Sequence, residues 1–106
     1  INALRIRGKI ARAMDELLSR FDAVVTPTLN TESGPIDQKF AEWSKGFTST
    51  ELSGASNAIG LPGITVPNGF GARGLPTGLE FTGRAYNENT ILAAAMAYQQ
   101  RTDWHT

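Results

Sequence analysis

Apolar residues recur at three- and four-residue intervals through Ile6, Ile10, Ala13, Met14, Leu17 and Leu18, and on to Phe21. Arg5, Lys9, Arg12, Asp15, Glu16 and Ser19 fall mostly on other faces. This period predicts an amphipathic helix from about residue 3 to residue 20. Gly8 interrupts it at a cost of about 1 kcal/mol relative to alanine, and marks either a close helix crossing or a weak first turn. The pattern then changes. Ala23, Val24 and Val25 form an unbroken apolar run closed by Pro27, which reads as a strand buried on both faces. Helix, a single aspartate at the turn (Asp22), then a buried strand is one half of an α/β unit.

Residues 28–50 carry no sustained period. Ser33-Gly34-Pro35 is turn chemistry, and Ile36, Phe40 and Trp43 would share one face of a short helix, its aromatics forming a satellite core or a pocket rim. Thr50 to Ile59 predicts a helix of small residues with Leu52, Ala55 and Ile59 inward. Gly60–Gly63 is a tight turn, and Ile64-Thr65-Val66 is a β-branched strand ended by Pro67. Gly78–Thr82 alternates and reads as a further strand, joined to Gly63–Val66 by the glycine-rich run Gly69–Gly74 so that the two can pair antiparallel or flank another strand between them. Asn87 caps a last helix from about Glu88 to Arg101. Its packing face is Ile91, Leu92, Ala95, Met96 and Tyr98, and Arg101 falls at the negative end of its dipole. The predicted order is helix–strand–loop–helix–strand–strand–helix, an α/β fold.

Composition narrows the classes. At 106 residues the chain is one domain or part of one. Ten basic residues balance ten acidic ones, leaving no net field to draw in nucleic acid or an anionic membrane. No apolar stretch approaches the roughly eighteen residues of a membrane span. Cysteine is absent, which excludes a disulfide framework, a thiolate nucleophile and cysteine metal sites. That fits a reducing compartment, and the expected location is cytoplasmic. The chain does not begin with methionine and nothing caps Asn2, so the first helix reads as one cut into.

Catalytic residues are scarce. His105 is the single histidine, without an orienting partner or companion metal ligands in the pattern, and reads as a surface or docking residue. Asp37, Glu42 and Glu51 lie in loop-like sequence and do not form a marked carboxylate pair. GFGARG (69–74) invites comparison with a phosphate loop, but no helix follows to aim its N-terminus at an anion. A Ser–Lys arrangement of Ser53 or Ser56 with Lys45 would need that lysine desolvated.

Four segments, DAVVTPT (22–28), NAIGLPGITVP (57–67), GLPTGLEFTG (74–83) and NENTILAAAMAYQQRTDWH (87–105), occur in order. Together they resemble the C-terminal portion of the amidase signature family. The resemblance covers essentially the whole chain except residues 29–49. It implies a C-terminal segment, residues 1–106, of a larger mixed-sheet α/β/α fold. The family cleaves or transfers amide nitrogen through an acyl-enzyme on serine, activated by a Ser–cis-Ser–Lys triad with backbone N–H groups stabilising the oxyanion. That triad lies N-terminally in the family and none of its residues is matched here, so the chain by itself is expected to lack catalysis. What the resemblance implies for this segment is sheet core and one wall of the substrate pocket, at Pro27, Thr28, Thr50, Ser53 and Asn57. The implied partners are a small-molecule amide, the missing N-terminal part of the fold and self-association. Nucleic acid, membrane, cofactor and metal are not implied. Two other readings stand beside this one: a non-catalytic interaction domain completed by a partner chain, and the glutamine-amidase subunit of an amidotransferase. Amidotransferase members carry an aspartate that recognises the glutamine donor where this chain has Thr50, which favours a free-standing amidase.

Overall fold

The computed structural model describes residues 1–45 and 52–106, without the side chains of Trp43, Leu52 and Ser53. The chain runs α1 (Asn2–Leu18), β1 (Val24–Pro27), α2 (Phe40–Trp43), α3 (Leu52–Ile59), β2 (Gly63–Phe70), β3 (Pro76–Thr82) and α4 (Glu88–Gln99). The strands form one antiparallel sheet in the order β1-β3-β2. This is the α/β order that the periodicities predict.

Register explains which face is the core. Val25, Phe81 and Ile64 align across the three strands, as do Pro27, Leu79 and Val66. Cross-strand partners share a face, so these make an apolar side. Against it α4 lays Ile91 and Ala95, which with Val66 and Phe81 form the buried cluster, and Ala23, Ala94 and Tyr98 pack at its margin. Phe81 and Tyr98 meet edge-on at 6.2 Å between ring centroids. Gly83 lets the helix approach, since a Cβ there would lie 2.7 Å from Ile91 Cγ2. The opposite register, Thr26–Glu80–Thr65, is polar.

Several elements depart from the sequence reading. Proline does not end β2: the strand continues through Pro67 to Phe70, with a register shift between Pro67 and Gly69. An edge strand tolerates the missing N–H, and the bulge absorbs the misfit. The loop at Gly69, Gly71 and Gly74 is followed by a strand, in keeping with the reading that no helix follows, although the three glycines have GxGxxG spacing. Val25 is half exposed because β1 is the other edge of the sheet. In α3 it is Ser56 that is buried, while Ala55 is exposed. Ile36 and Phe40 are exposed, and the side chain of Trp43, the third residue of that expected face, lies outside the described residues. On α4, Leu92 and Met96 face outward. Arg101 does close that helix, donating from Nη1 to the Ala97 carbonyl at 3.0 Å. Asn87 sits at its N-cap, but its Oδ1 accepts from the Thr90 hydroxyl at 2.7 Å and not from a backbone N–H.

The stripe on α1 is largely uncovered. Leu18 is buried, but Leu4, Ile6, Ile10 and Leu17 are 46–67% exposed. The molecule is a slab, 41 × 39 × 15 Å, with a radius of gyration of 15.6 Å, against roughly 13 Å for a compact domain of this size. α1 is tied to the rest by two arginine contacts. Arg7 Nε donates to the Ala58 carbonyl near the C-terminal end of α3, where helix polarity favours a cation. Arg84, just beyond β3, grips Asp15 with a two-point fork, Nε to Oδ1 at 3.0 Å and Nη2 to Oδ2 at 2.9 Å.

That fork sets a pH dependence. Hydrogen bonding from Arg84, against a smaller desolvation effect, holds the Asp15 carboxyl below its ordinary value. A carboxyl whose pKa falls on folding contributes stability above its unfolded pKa and loses it as pH falls through the folded one. Asp15→Asn is therefore expected to lower the thermal midpoint at neutral pH, with the difference from wild type closing below about pH 4. Thermal melts of both proteins from pH 7 to pH 2 check this. Among the described residues Gly8 makes no close crossing: a Cβ there would meet Arg12 Nη1 at 3.9 Å and nothing nearer. Gly8→Ala is expected to stabilise by about 1 kcal/mol, read as a raised urea midpoint at unchanged slope.

Candidate functional site

The ladder between β1 and β3 runs past the end of β1: the Thr28 N–H donates to the Gly78 carbonyl at 2.9 Å. Thr28 then reaches over the central strand, its hydroxyl donating to the Thr65 hydroxyl on β2 at 3.3 Å. Gly78 makes this possible. A Cβ there would sit 2.8 Å from both Thr28 Oγ1 and Thr65 Cγ2.

Beyond Thr28 the chain folds against the hairpin loop Gly71–Leu75. This loop is closed by the Gly71 N–H donating to the Leu75 carbonyl at 2.9 Å, and Gly74 adopts φ +75°. Glu32 binds the two segments together. Its Oε1 accepts from the Arg73 N–H at 2.8 Å and its Oε2 lies 3.4 Å from Arg73 Nε. Arg73 Nη2 returns to the Glu32 and Ser33 carbonyls at 3.2 and 2.9 Å. The Glu32 side chain is only 7% exposed, against 51% for Arg73. Gly71 leaves room for it, because a Cβ there would overlap the Glu32 side chain. These residues enclose an open cleft of about 540 Å³. One side is Pro27 and the run Leu29–Glu32; the other is Asn68, the run Gly71–Arg73, Thr77 and Gly78. Asn68 is held by the Thr77 hydroxyl, which donates to Oδ1 at 2.7 Å.

In chemical terms the cleft offers amide and hydroxyl groups, an apolar edge at Pro27 and Leu29, and one internally neutralised ion pair. It can hold and orient a small polar molecule. The described lining residues include no lysine, histidine or serine to act as nucleophile or base, and no group of three metal-ligating side chains occurs among the described residues.

The residues expected on the pocket wall divide. Pro27 lines the cleft and Thr28 adjoins it. Asn57 is exposed on α3 and is not among the described lining residues. Ser53 lies on α3 with its side chain outside the described residues, and Thr50 is outside them altogether. Glu32 and Arg73 are additions. They stand 41 positions apart, and neither carries a local signal of pairing.

The Amidase family profile matches residues 1–92. The chain belongs to the amidase family. Its curated relatives include the A-type subunit of glutamyl-tRNA(Gln) amidotransferase from Chloroflexus aggregans, 38% identical over 98% of this chain, and its namesake from Roseiflexus, 39% identical over 98%. In both cases the chain spans about a fifth of the relative's length, 21%. Among solved structures, the Thermotoga maritima protein of the same name superposes with a TM-score of 0.73 at 28% identity, covering 93% of this chain and 22% of its own. The structure of PAM12A gives 0.71 at 33% identity, covering 93% and 20%. This amidase chain therefore has the fold of one segment of those larger proteins.

Proposed function

We propose that the protein carrying this chain cleaves an amide C–N bond through an acyl-enzyme on serine, and that residues 1–106 supply sheet core and one wall of the amide pocket. The Amidase match over residues 1–92 carries this reading. The cleft at the exit of β1, lined by Pro27 and Gly78 among others, supports it. The serine, its bridging serine and the lysine belong to the remainder of the fold, so this segment acts by binding and orienting. The uncovered stripe on α1 and the half-exposed Val25 are the surfaces that the remainder would bury. The cytoplasm is the location in keeping with a cysteine-free chain.

The test uses the full-length protein and a panel of small amides, scored by ammonia release and by mass spectrometry for a covalent serine adduct with a fluorophosphonate. Turnover blocked by a one-site adduct supports the proposal. Turnover without serine modification, or no turnover across the panel, rejects it.

A second reading has its own support: the relatives named above carry the name of an amidotransferase component. Under it the amide is glutamine, and ammonia passes to an acceptor. Thr50, at the position where amidotransferase members of the resembled family carry an aspartate, speaks for the free-standing enzyme. Glutaminase activity that rises on adding misacylated glutamyl-tRNA and partner subunits would decide for the amidotransferase. Indifference to them would decide against it.

A further inference from the structure

Glu32 and Arg73 are the two charged residues among the described lining of the cleft, and they are paired in direct contact at its wall. The two charges neutralise each other as an ion pair. Of the carboxylate, Oε1 accepts from the Arg73 N–H, while Oε2 stands 3.4 Å from Nε, within ion-pair range but without a hydrogen bond of its own among the described residues. Of the guanidinium, Nε is turned to that carboxylate and Nη2 to two carbonyls of the same loop. The carboxylate is buried and the guanidinium half open, so removing either partner leaves an uncompensated charge at the wall.

We infer that the Glu32–Arg73 pair is the specificity determinant of this cleft, closing it to charged ligands and selecting amides that are neutral beside the scissile group. This rests on the reading of the cleft as the amide pocket. With both charges present, an incoming carboxylate or ammonium would surrender its hydration without meeting an unpaired countercharge, whereas a neutral amide can exchange hydrogen bonds with the Asn68 and Thr31 groups of the lining. The same clasp makes Glu32 and Arg73 positioning residues, because it fixes the run from Pro27 to Glu32 against the hairpin.

The experiment compares kcat/KM in the full-length enzyme for three amides of matched size: neutral, carboxylate-bearing and ammonium-bearing. Glu32→Gln keeps an acceptor for the Arg73 N–H but frees the guanidinium charge; preference for the acidic amide over the neutral one is expected to rise about tenfold. Arg73→Gln frees the carboxylate, and preference for the cationic amide is expected to rise by a similar factor. A purely structural pair would move both variants the same way. Parallel losses, or unchanged charge preference in either variant while the wild type hydrolyses amides, overturn the inference and leave the proposed function intact. A wild type that hydrolyses no amide overturns both. Hydrogen exchange at β3 and α4 verifies that each variant is folded. Should Arg73→Gln fail to fold because it strands the buried carboxylate, Glu32→Gln alone decides, since the guanidinium that it leaves is half exposed.

Discussion

Replacing Ile91 by alanine is expected to cost about 3 kcal/mol of folding stability. The side chain is 2% exposed, sits at the centre of the Val66–Phe81–Ala95 cluster, and its Cγ2 fills the space that Gly83 leaves open. Removing it takes away apolar burial and opens a void between strand and helix. The neighbours are poorly placed to collapse into it: Phe81 is braced against Tyr98, and Ala95 has no reach. Urea denaturation of the full-length protein should show a lower midpoint. An Ile91→Val partner variant should lose about 1 kcal/mol. Equal losses for the two would mean that the δ-methyl, the group that both variants remove, sets the whole cost.

Gly71→Ala should have the second largest effect, about 2 kcal/mol. The backbone there is not in the left-handed region, so any strain argument fails and the cost lies in space. A methyl group on Gly71 occupies the place of the Glu32 side chain. The carboxylate must leave its buried seat, giving up the Arg73 N–H and the ion pair together. The prediction separates from a general loss of stability by location. Amide exchange should accelerate in the Leu29–Ser33 loop and at Arg73 well before β3 or α4 responds. A uniform increase across the sheet would contradict it.

Much of the fold was legible because its signals are local. The three- and four-residue period of α1, the apolar run entering β1, the alternation in Gly78–Thr82 and the alanine-rich α4 each declare an element within a few residues. The four ordered segments point to the family for the same reason. What was not legible depends on partners far along the chain. Whether Pro67 ends or merely bends a strand depends on β3 lying beside it. Ser56 and not Ala55 faces inward because the roll of a short helix is set by what it packs on. The exposure of Ile6 and Ile10 could not be read from their spacing, since periodicity marks a face to be covered without saying what covers it. In the site, Pro27 and Thr28 were reachable as the exit of a strand. Glu32 was not, because its partner is 41 residues away and lies in a loop that reads as connection only.

The bulged strand β2 has a directional consequence. Its outer margin lacks one donor at Pro67, bends at Asn68, and carries the Trp104 ring over Gly69, where a Cβ would come within 3.6 Å of the indole. A fourth strand would find no continuous row of groups to join there. The other margin, β1, meets proline only at its last position, and carries both the half-exposed Val25 and a Thr26 hydroxyl that is buried without a hydrogen-bonding partner. The sheet is thus polarised, sealed along one border and open along the other, so that it can be extended from a single side.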